Sequence, residues 1–534
     1  MKRFVICLFL LFFLCSAARS AVYQWSVKVS GYISEETQEN PDAFLWIPPD
    51  CAQVRAIVLA QHNMCEETIF DHPNFRKTMQ ELGFALIWVT PGIDQQWDIR
   101  NNCQQVLDQA INDLAAISGY TELAQAPFVP LGHSAMATFP WNFAAWNPER
   151  TLAVISYHGD APRTNLTGYG RENLEWGRNR NIDGIPGLMI QGEYEWWEAR
   201  VNPALAFRMM YPESCISFLA DAGHGHFDVS DQVLDYMCLF LKKAAQYRLP
   251  NAPEVDGRWK LKNLNPKQGW LAERWHPQQN RLAGAAPYAK YTGNIHDAFW
   301  YFDQEMAQET EQYYARESHK ERCFIGFSFG GKLLPPKANH AQFTIDALSP
   351  SADGLYHISA IWTDSTHQVK LAGVKKAPIR LDRICGPIEK INDSTFRLQF
   401  YRMGFNNKKR TNDVWLMASA AADQEFKSAV QQINIKVNYP LREGKRQSIW
   451  FPTVDDVSSS TKTVKLHAQS DSKLTVQYYV KEGPAEIAGD KLVLTAIPPK
   501  AKYPIKVTVV AWQYGVPEKM QSAEPVERYF YINR

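Results

Sequence analysis

The chain has 534 residues, 45% of them hydrophobic and 21% charged, with 57 Lys and Arg against 56 Asp and Glu for a formal net charge of +1. This is the composition of a globular protein with room for two to four domains. The near-neutral balance, with no long basic run, argues against nucleic acid as a partner.

The N-terminus reads as an address rather than as fold. Lys2 and Arg3 lead into an apolar run over residues 4–15, and Ala18-Arg19-Ser20 offers small residues for cleavage before Ala21. This predicts a secretory signal peptide at 1–20; a lipid anchor on Cys15 is disfavoured because Leu14 is bulky where lipid-modified signals resemble one another in having a small residue. Its removal takes three bases (Lys2, Arg3, Arg19) and no acid, moving the balance from +1 to about −2. No later stretch approaches the roughly 20 apolar residues of a membrane helix, so the mature chain is expected to be soluble and exported, in the periplasm, secreted or at the cell surface. Its remaining cysteines (51, 65, 103, 215, 238, 323 and 385) are odd in number and show no C-x-x-C metal clip. They are expected to be mostly buried free thiols, with one bridge at most.

Residues 24–33 and 43–47 read as an opening pair of strands, followed by a short apolar run at 55–61, a helix at 75–82 and a second apolar run at 84–90. Residues 102–117 form an amphipathic helix, with Val106, Ala110, Ile111 and Leu114 on one face. A fifth apolar run ends in Gly132-His133-Ser134, with helix-compatible sequence over 137–145. Strands follow at 151–157, 187–191 and 216–220, and a helix at 232–245 closes the series. Short apolar strands separated by helices predict an α/β fold with a mostly parallel sheet covered on both faces. A serine on a sharp strand-to-helix turn has its hydroxyl lifted clear of the sheet and lies beside unpaired backbone N–H groups that can meet an oxyanion. Gly132-x-Ser134 is thus a nucleophile elbow, departing from G-x-S-x-G in carrying Met136 for the second glycine.

With Ser134 after the fifth strand, residues 21–250 resemble an α/β-hydrolase. The resemblance implies a catalytic order of serine, acid, histidine, since serine is a poor nucleophile until an imidazole takes its proton and an acid holds that imidazole's tautomer. Gly192-Glu193-Tyr194-Glu195 follows one strand and Asp221-Ala222-Gly223-His224-Gly225-His226-Phe227-Asp228 the next, both at carboxyl ends where open sheets place ligands. Glu195 is the preferred acid, with Glu193 and Asp160 as alternatives. His226 is the preferred base, because Gly225-His226-Phe227 resembles the family's small-His-aromatic ending, and His224 is its rival.

The resemblance also implies an oxyanion hole from the Ala135 N–H and an N–H of the loop Gln61-His62-Asn63-Met64-Cys65-Glu66-Glu67, assigned to Met64 with Asn63 nearby. His62, His133, Asp160, Arg163, Trp196 and His224 are the expected substrate-binding residues. The stretch 160–181 lies where α/β-hydrolases insert lids, and its arginines interleaved with Tyr and Trp suit an acidic or sugar-bearing substrate. Neither metal nor cofactor is expected; His296, Asp297, Asp303 and Glu305 are poorly spaced for a metal and read as polar caps of a core helix.

Leu249-Pro250-Asn251-Ala252-Pro253 punctuates the end of this unit. A Trp-rich connecting region with a helix at 299–313 spans 251–335. Short alternating runs at 343–345, 355–361, 369–371, 396–401, 414–417 and 433–437 predict a β-sandwich over 336–454. Residues 455–461 read as a linker, and 462–534 as a small β-domain in which Glu482–Asp490 is similar to the strand-turn-strand of bacterial immunoglobulin-like repeats. The leading functional expectation is a serine carboxylesterase acting on a small-molecule or polysaccharide ester, particularly of a carbohydrate, with no oligomeric state assigned. A serine peptidase ranks below it, because the usual oligopeptidase arrangement has a β-propeller before the hydrolase domain and here the β-modules follow. A catalytically inactive glycan-binding or adhesion protein on the same scaffold is kept open by Met136 and by the ambiguous acid.

Overall fold

The computed structural model describes residues 23–164, 173–195, 197–277, 279–372 and 377–534. The expected signal peptide, residues 165–172 of the expected lid, and Trp196 lie outside the described residues.

Eight strands form one sheet: β1 (Trp25–Lys28), β2 (Asp42–Trp46), β3 (Ala56–Gln61), β4 (Phe84–Thr90), β5 (Phe128–His133), β6 (Val154–Tyr157), β7 (Pro186–Gly192) and β8 (Cys215–Asp221). Their order is β1-β2-β4-β3-β5-β6-β7-β8. The β1–β2 and β2–β4 pairs are antiparallel and the rest parallel. Every residue of β3 to β8 is buried, which is why these strands read as continuous apolar runs. Successive side chains supply opposite cores. Val58, Ala60, Leu86 and Trp88 enter one, while Ile57, Leu59, Ile87 and Val89 enter the other.

The helices are α1 (Cys65–Asp71), α2 (Pro73–Leu82), α3 (Cys103–Ser118), α4 (Phe139–Trp146), α5 (Trp197–Met210) and α6 (Asp231–Arg248). α2 and α6 pack in the first core and α3 in the second. The mostly parallel α/β sheet is therefore present as expected, and α1 is an addition, because its seven residues lie in what reads as a loop.

Residues 251–335 differ from a connector. Strands Trp270–Glu273 and Ala298–Tyr301 pair antiparallel and seal the β8 side of the sheet. Phe299 stacks on Phe218 at 4.8 Å, and the Ser217 hydroxyl donates to Trp300 O at 2.6 Å. The expected helix begins five residues late, as α7 (Gln304–Glu317). The Asp303 carboxylate caps it by accepting from Met306 N at 3.1 Å, while Phe299 is held in the strand by its packing on Phe218.

The first β-rich region starts earlier than 336, since Phe324–Phe329 pairs with Ser359–Thr363. Its four-stranded sheet runs Thr344–Leu348, Ala429–Val437, Asp413–Ala420, Arg380–Cys385, and the run at 369–371 contributes only an isolated bridge. The expected linker is partly strand, with Val457–Ser458 pairing in parallel with the last strand, Ala523–Asn533. Both β-rich regions are fastened to the α/β unit. Arg383 meets Glu67 at 3.0 Å and Thr68 donates to Ile384 O at 2.7 Å, while the C-terminal region reaches α3 through Lys502 N and Ser118 O, 2.9 Å apart. All seven described cysteines are buried thiols. Among the described residues, no helix is long and apolar enough to cross a membrane.

Candidate active site

The turn after β5 is built by close approach. A Cβ on Gly132 would lie 1.9 Å from Met136 O, so only glycine lets the chain fold back so tightly. Ser134 then takes φ = +56°, a strained left-handed conformation of the kind concentrated at functional sites. Met136 fits where a second glycine was expected because the space is made elsewhere. A Cβ on Gly92 would meet Met136 Cε at 2.3 Å, and one on Gly159 would meet Ala137 Cβ at 2.0 Å.

Three side chains converge here from distant segments. His226, in the loop between β8 and α6, places Nε2 2.7 Å from Ser134 Oγ and Nδ1 2.6 Å from Glu195 Oε2. Glu195 stands three residues beyond the end of β7. That loop and the histidine loop are pressed together at Gly192, where a Cβ would lie 2.4 Å from Gly225 O. A carboxylate only accepts, so His226 Nδ1 carries the proton toward Glu195, and Nε2 offers a lone pair to the serine O–H. Burial outweighs the opposing pull of Glu195 and lowers the His226 pKa below 6.5. Burial alone would raise Glu195, but the charges and hydrogen bonds of His158 and His226 hold it well below the ordinary carboxylate value. The arrangement is a neutral base between an ionised acid and a hydroxyl.

Further buried groups fix these loops. His133 is sealed in the core and placed next to the carbonyl of His226, with Nε2 2.8 Å away; burial keeps it neutral by lowering its pKa well below 6.5. Asn63 Nδ2 donates to His133 O at 2.9 Å. The Glu66 carboxylate accepts from Met64 N at 2.8 Å, Asn63 N at 3.1 Å and His133 N at 2.8 Å. Burial pushes Glu66 up to about 7, against the pull of these N–H groups.

This corrects the oxyanion assignment. The backbone N–H groups of both Met64 and Asn63 are already given to Glu66, which stitches the loop to the elbow. The Ala135 N–H stands in the first turn after the elbow, with no intrahelical acceptor.

Other expected residues are placed elsewhere. Glu193 turns away from His226 to meet Lys427 Nζ at 2.5 Å and Gly223 N at 2.7 Å. Asp160 faces Arg200, its Oδ1 3.7 Å from Arg200 Nε. His224 bonds through Nδ1 to Asp228 and does not reach Ser134. His62 is buried against Trp88, with ring centroids 5.0 Å apart and Nδ1 2.7 Å from Thr90 Oγ1. Arg163 bonds to Tyr211 OH and lies over the Trp176 ring. Each of His62, His133, Asp160, Arg163 and His224 is thus held by a partner within the fold.

Sequence reasoning missed His158, which contacts Glu195, as well as Glu66 and Arg200. It also missed two residues of the β-rich region. The His340 ring lies 5.1 Å from that of His226, and Arg410 Nη1 donates to Asn63 O at 2.5 Å. The one local signal was the position of His158, immediately beyond β6, where Asp160 was weighed as an alternative acid.

Among the described residues, three groups bring His and carboxylate atoms close enough to share a cation: His158, Glu195 and His226; Asp221, His224 and Asp228; and Glu273, His276 and Asp297. In the first two, histidine–carboxylate hydrogen bonds already use the facing atoms. In the third, Arg274 Nε lies 2.7 Å from Asp297 and supplies the positive charge.

No protein-family model matches the sequence, and no curated protein does. Among solved structures, the chain is similar to an S-formylglutathione hydrolase from Agrobacterium tumefaciens, at 14% identity over 41% of this chain and 94% of that one, with a TM-score of 0.30. It is also similar to Est1E from Butyrivibrio proteoclasticus, at 14% identity over 39% and 95%, TM-score 0.27. A third is FphF, a fluorophosphonate-binding serine hydrolase from Staphylococcus aureus, at 12% identity over 42% and 96%, TM-score 0.28.

Proposed function

We propose that the protein is an exported serine esterase working through an acyl-enzyme. The observation that carries this reading is the continuous contact from Glu195 through His226 to Ser134 Oγ, with the hydroxyl raised on a strained turn. In the reaction, Ser134 Oγ attacks the ester carbonyl carbon while His226 Nε2 takes its proton. The resulting imidazolium is stabilised by Glu195 and returns the proton to the departing alkoxide, which leaves as an alcohol. Water, deprotonated by the same nitrogen, then attacks the acyl-serine and releases the acid, restoring Ser134. The Ala135 N–H faces the developing oxyanion as one donor.

Export rests on the basic and apolar N-terminus, and an ester borne by a carbohydrate is favoured by that address together with the appended β-rich regions. The test is labelling of the full-length mature protein with a fluorophosphonate, alongside Ser134→Ala. Labelling that vanishes in the variant supports an activated serine, and absence of labelling in a folded wild type overturns it. Turnover of acetyl, methyl and feruloyl carbohydrate esters against lipid and simple aromatic esters then decides the substrate class.

A further inference from the structure

Glu195 has two oxygens, and the triad uses one of them. Oε2 faces His226, while Oε1 accepts from Gly192 N at 2.8 Å and also contacts His158 Nδ1. His158 is fully buried and stands directly beyond β6 at φ = +52°, a left-handed conformation that is uncommon outside glycine. Its ring packs edge-on against Tyr157, centroids 4.0 Å apart, and its carbonyl accepts from Arg200 Nη1 at 2.6 Å. The other ring nitrogen, Nε2, has no hydrogen-bond partner among the described residues. Nδ1 also lies 3.2 Å from Gly192 N, whose closer acceptor is Oε1. A sealed imidazole with one ring nitrogen unsatisfied is an expensive feature if it serves packing alone, because an apolar ring would fill the same space without burying that nitrogen.

Resting on the triad reading above, we infer that His158 is a positioning residue for the catalytic acid. Because the carboxylate only accepts, His158 Nδ1 carries the proton that Oε1 receives. With Gly192 N–H it fixes the carboxyl plane, so that Oε2 meets His226 Nδ1 in line. The same carboxylate is thus held between two imidazoles, one turned toward Ser134 and substrate, the other closed off behind it. His158 touches no substrate, so its effect falls on kcat and not on KM.

The test uses the full-length mature protein, p-nitrophenyl acetate turnover and the rate of fluorophosphonate labelling. His158→Leu, which removes the donor but keeps bulk, is expected to lower kcat and the labelling rate about tenfold or more with KM unchanged, the scale expected for one hydrogen bond to a charged group. His158→Asn, whose amide can donate from the same side and which tolerates the left-handed backbone, is expected to recover most of the loss. A folded His158→Leu with wild-type kcat, or one whose loss Asn does not relieve at equal thermal stability, overturns the inference.

A measurement that needs no His158 variant accompanies these. In protein carrying ¹⁵N-labelled histidine, the downfield Nδ1–H resonances of His158 and His226 should both move in Glu195→Gln, while that of His224, bonded to Asp228, should stay. Movement of the His226 signal alone overturns the inference. If wild type is not labelled while Ser134→Ala is equally inert, the triad reading itself fails and takes this one with it. A labelled wild type with an indifferent His158→Leu overturns the positioning role alone.

Discussion

Two histidines separated by one glycine have opposite fates. His226 and His224 lie in the same loop, the first half-buried and the second buried, each bonded through Nδ1 to a carboxylate. His226 faces a single carboxylate that is shared with His158 and with Arg200, 3.5 Å away. Its burial therefore wins and its pKa falls below 6.5. His224 faces both Asp221 and Asp228, and although burial opposes the charge, the two carboxylates push it up to about 10. One imidazole is kept neutral, as a base must be; the other is kept charged, as a structural tie must be. The number of carboxylates facing a ring, and what else those carboxylates serve, separates the neutral ring from the charged one more sharply than burial does.

The comparison breaks most visibly at the triad. Ser134→Ala and His226→Ala should each lower turnover by at least about 10⁴-fold, and Glu195→Gln by about 10³- to 10⁴-fold, because the amide can favour the wrong tautomer. Glu193→Gln, two residues away, should leave kcat near wild type, since its carboxylate serves Lys427. Esterase kinetics on all four variants check this.

At the other histidine the loss should appear as stability. His224→Gln strands two buried carboxylates, and breaking a buried ion pair of this kind costs about 3–5 kcal/mol. Denaturant titration should show that loss, while the folded fraction still labels at Ser134.

The two rings should also separate by pH. A folded-state pKa of about 10 for His224 lies above its unfolded value of about 6.5. Its contribution to stability is therefore complete below pH 6.5 and is lost as pH rises through 10. Wild type should lose stability over that window, and His224→Gln should lack that part of the slope. The lowered pKa of His226 works in the opposite sense on activity, so kcat/KM should hold as pH falls to 6.5 and decline only below it.

The smallest effect is expected at His340, whose ring lies beside His226 but outside the hydrogen-bonded chain. His340→Ala should change kcat/KM by a few-fold, more for bulky esters than for acetate. An equal effect on all substrates would mean that it acts through His226.

Much of the scaffold was legible because it depends on local pattern. The short apolar run over 84–90 reads as a strand by its length and β-branched and aromatic content, and Gly132-x-Ser134 marked a turn whose geometry demands glycine. The helix after residue 299 was placed too early because Phe299, apolar and in helical register, is claimed by Phe218 on β8. The expected donors Met64 and Asn63 failed for a related reason, as no spacing rule shows that Glu66 folds back to take both N–H groups.

The sequence by itself determined the alternating strands and helices, the elbow serine, and the short lists of acids and histidines at the ends of β6, β7 and β8. Those features follow from side-chain periodicity and backbone sterics within a few residues. Only the tertiary structure decided which member of each list meets Ser134. Glu193 and Glu195 differ by two residues but point to Lys427 and His226, and His224 and His226 differ by two but meet Asp228 and Ser134. A charged group's role is set by the partners that burial leaves within reach, and those partners arrive from 31, 92 and 234 positions away along the chain.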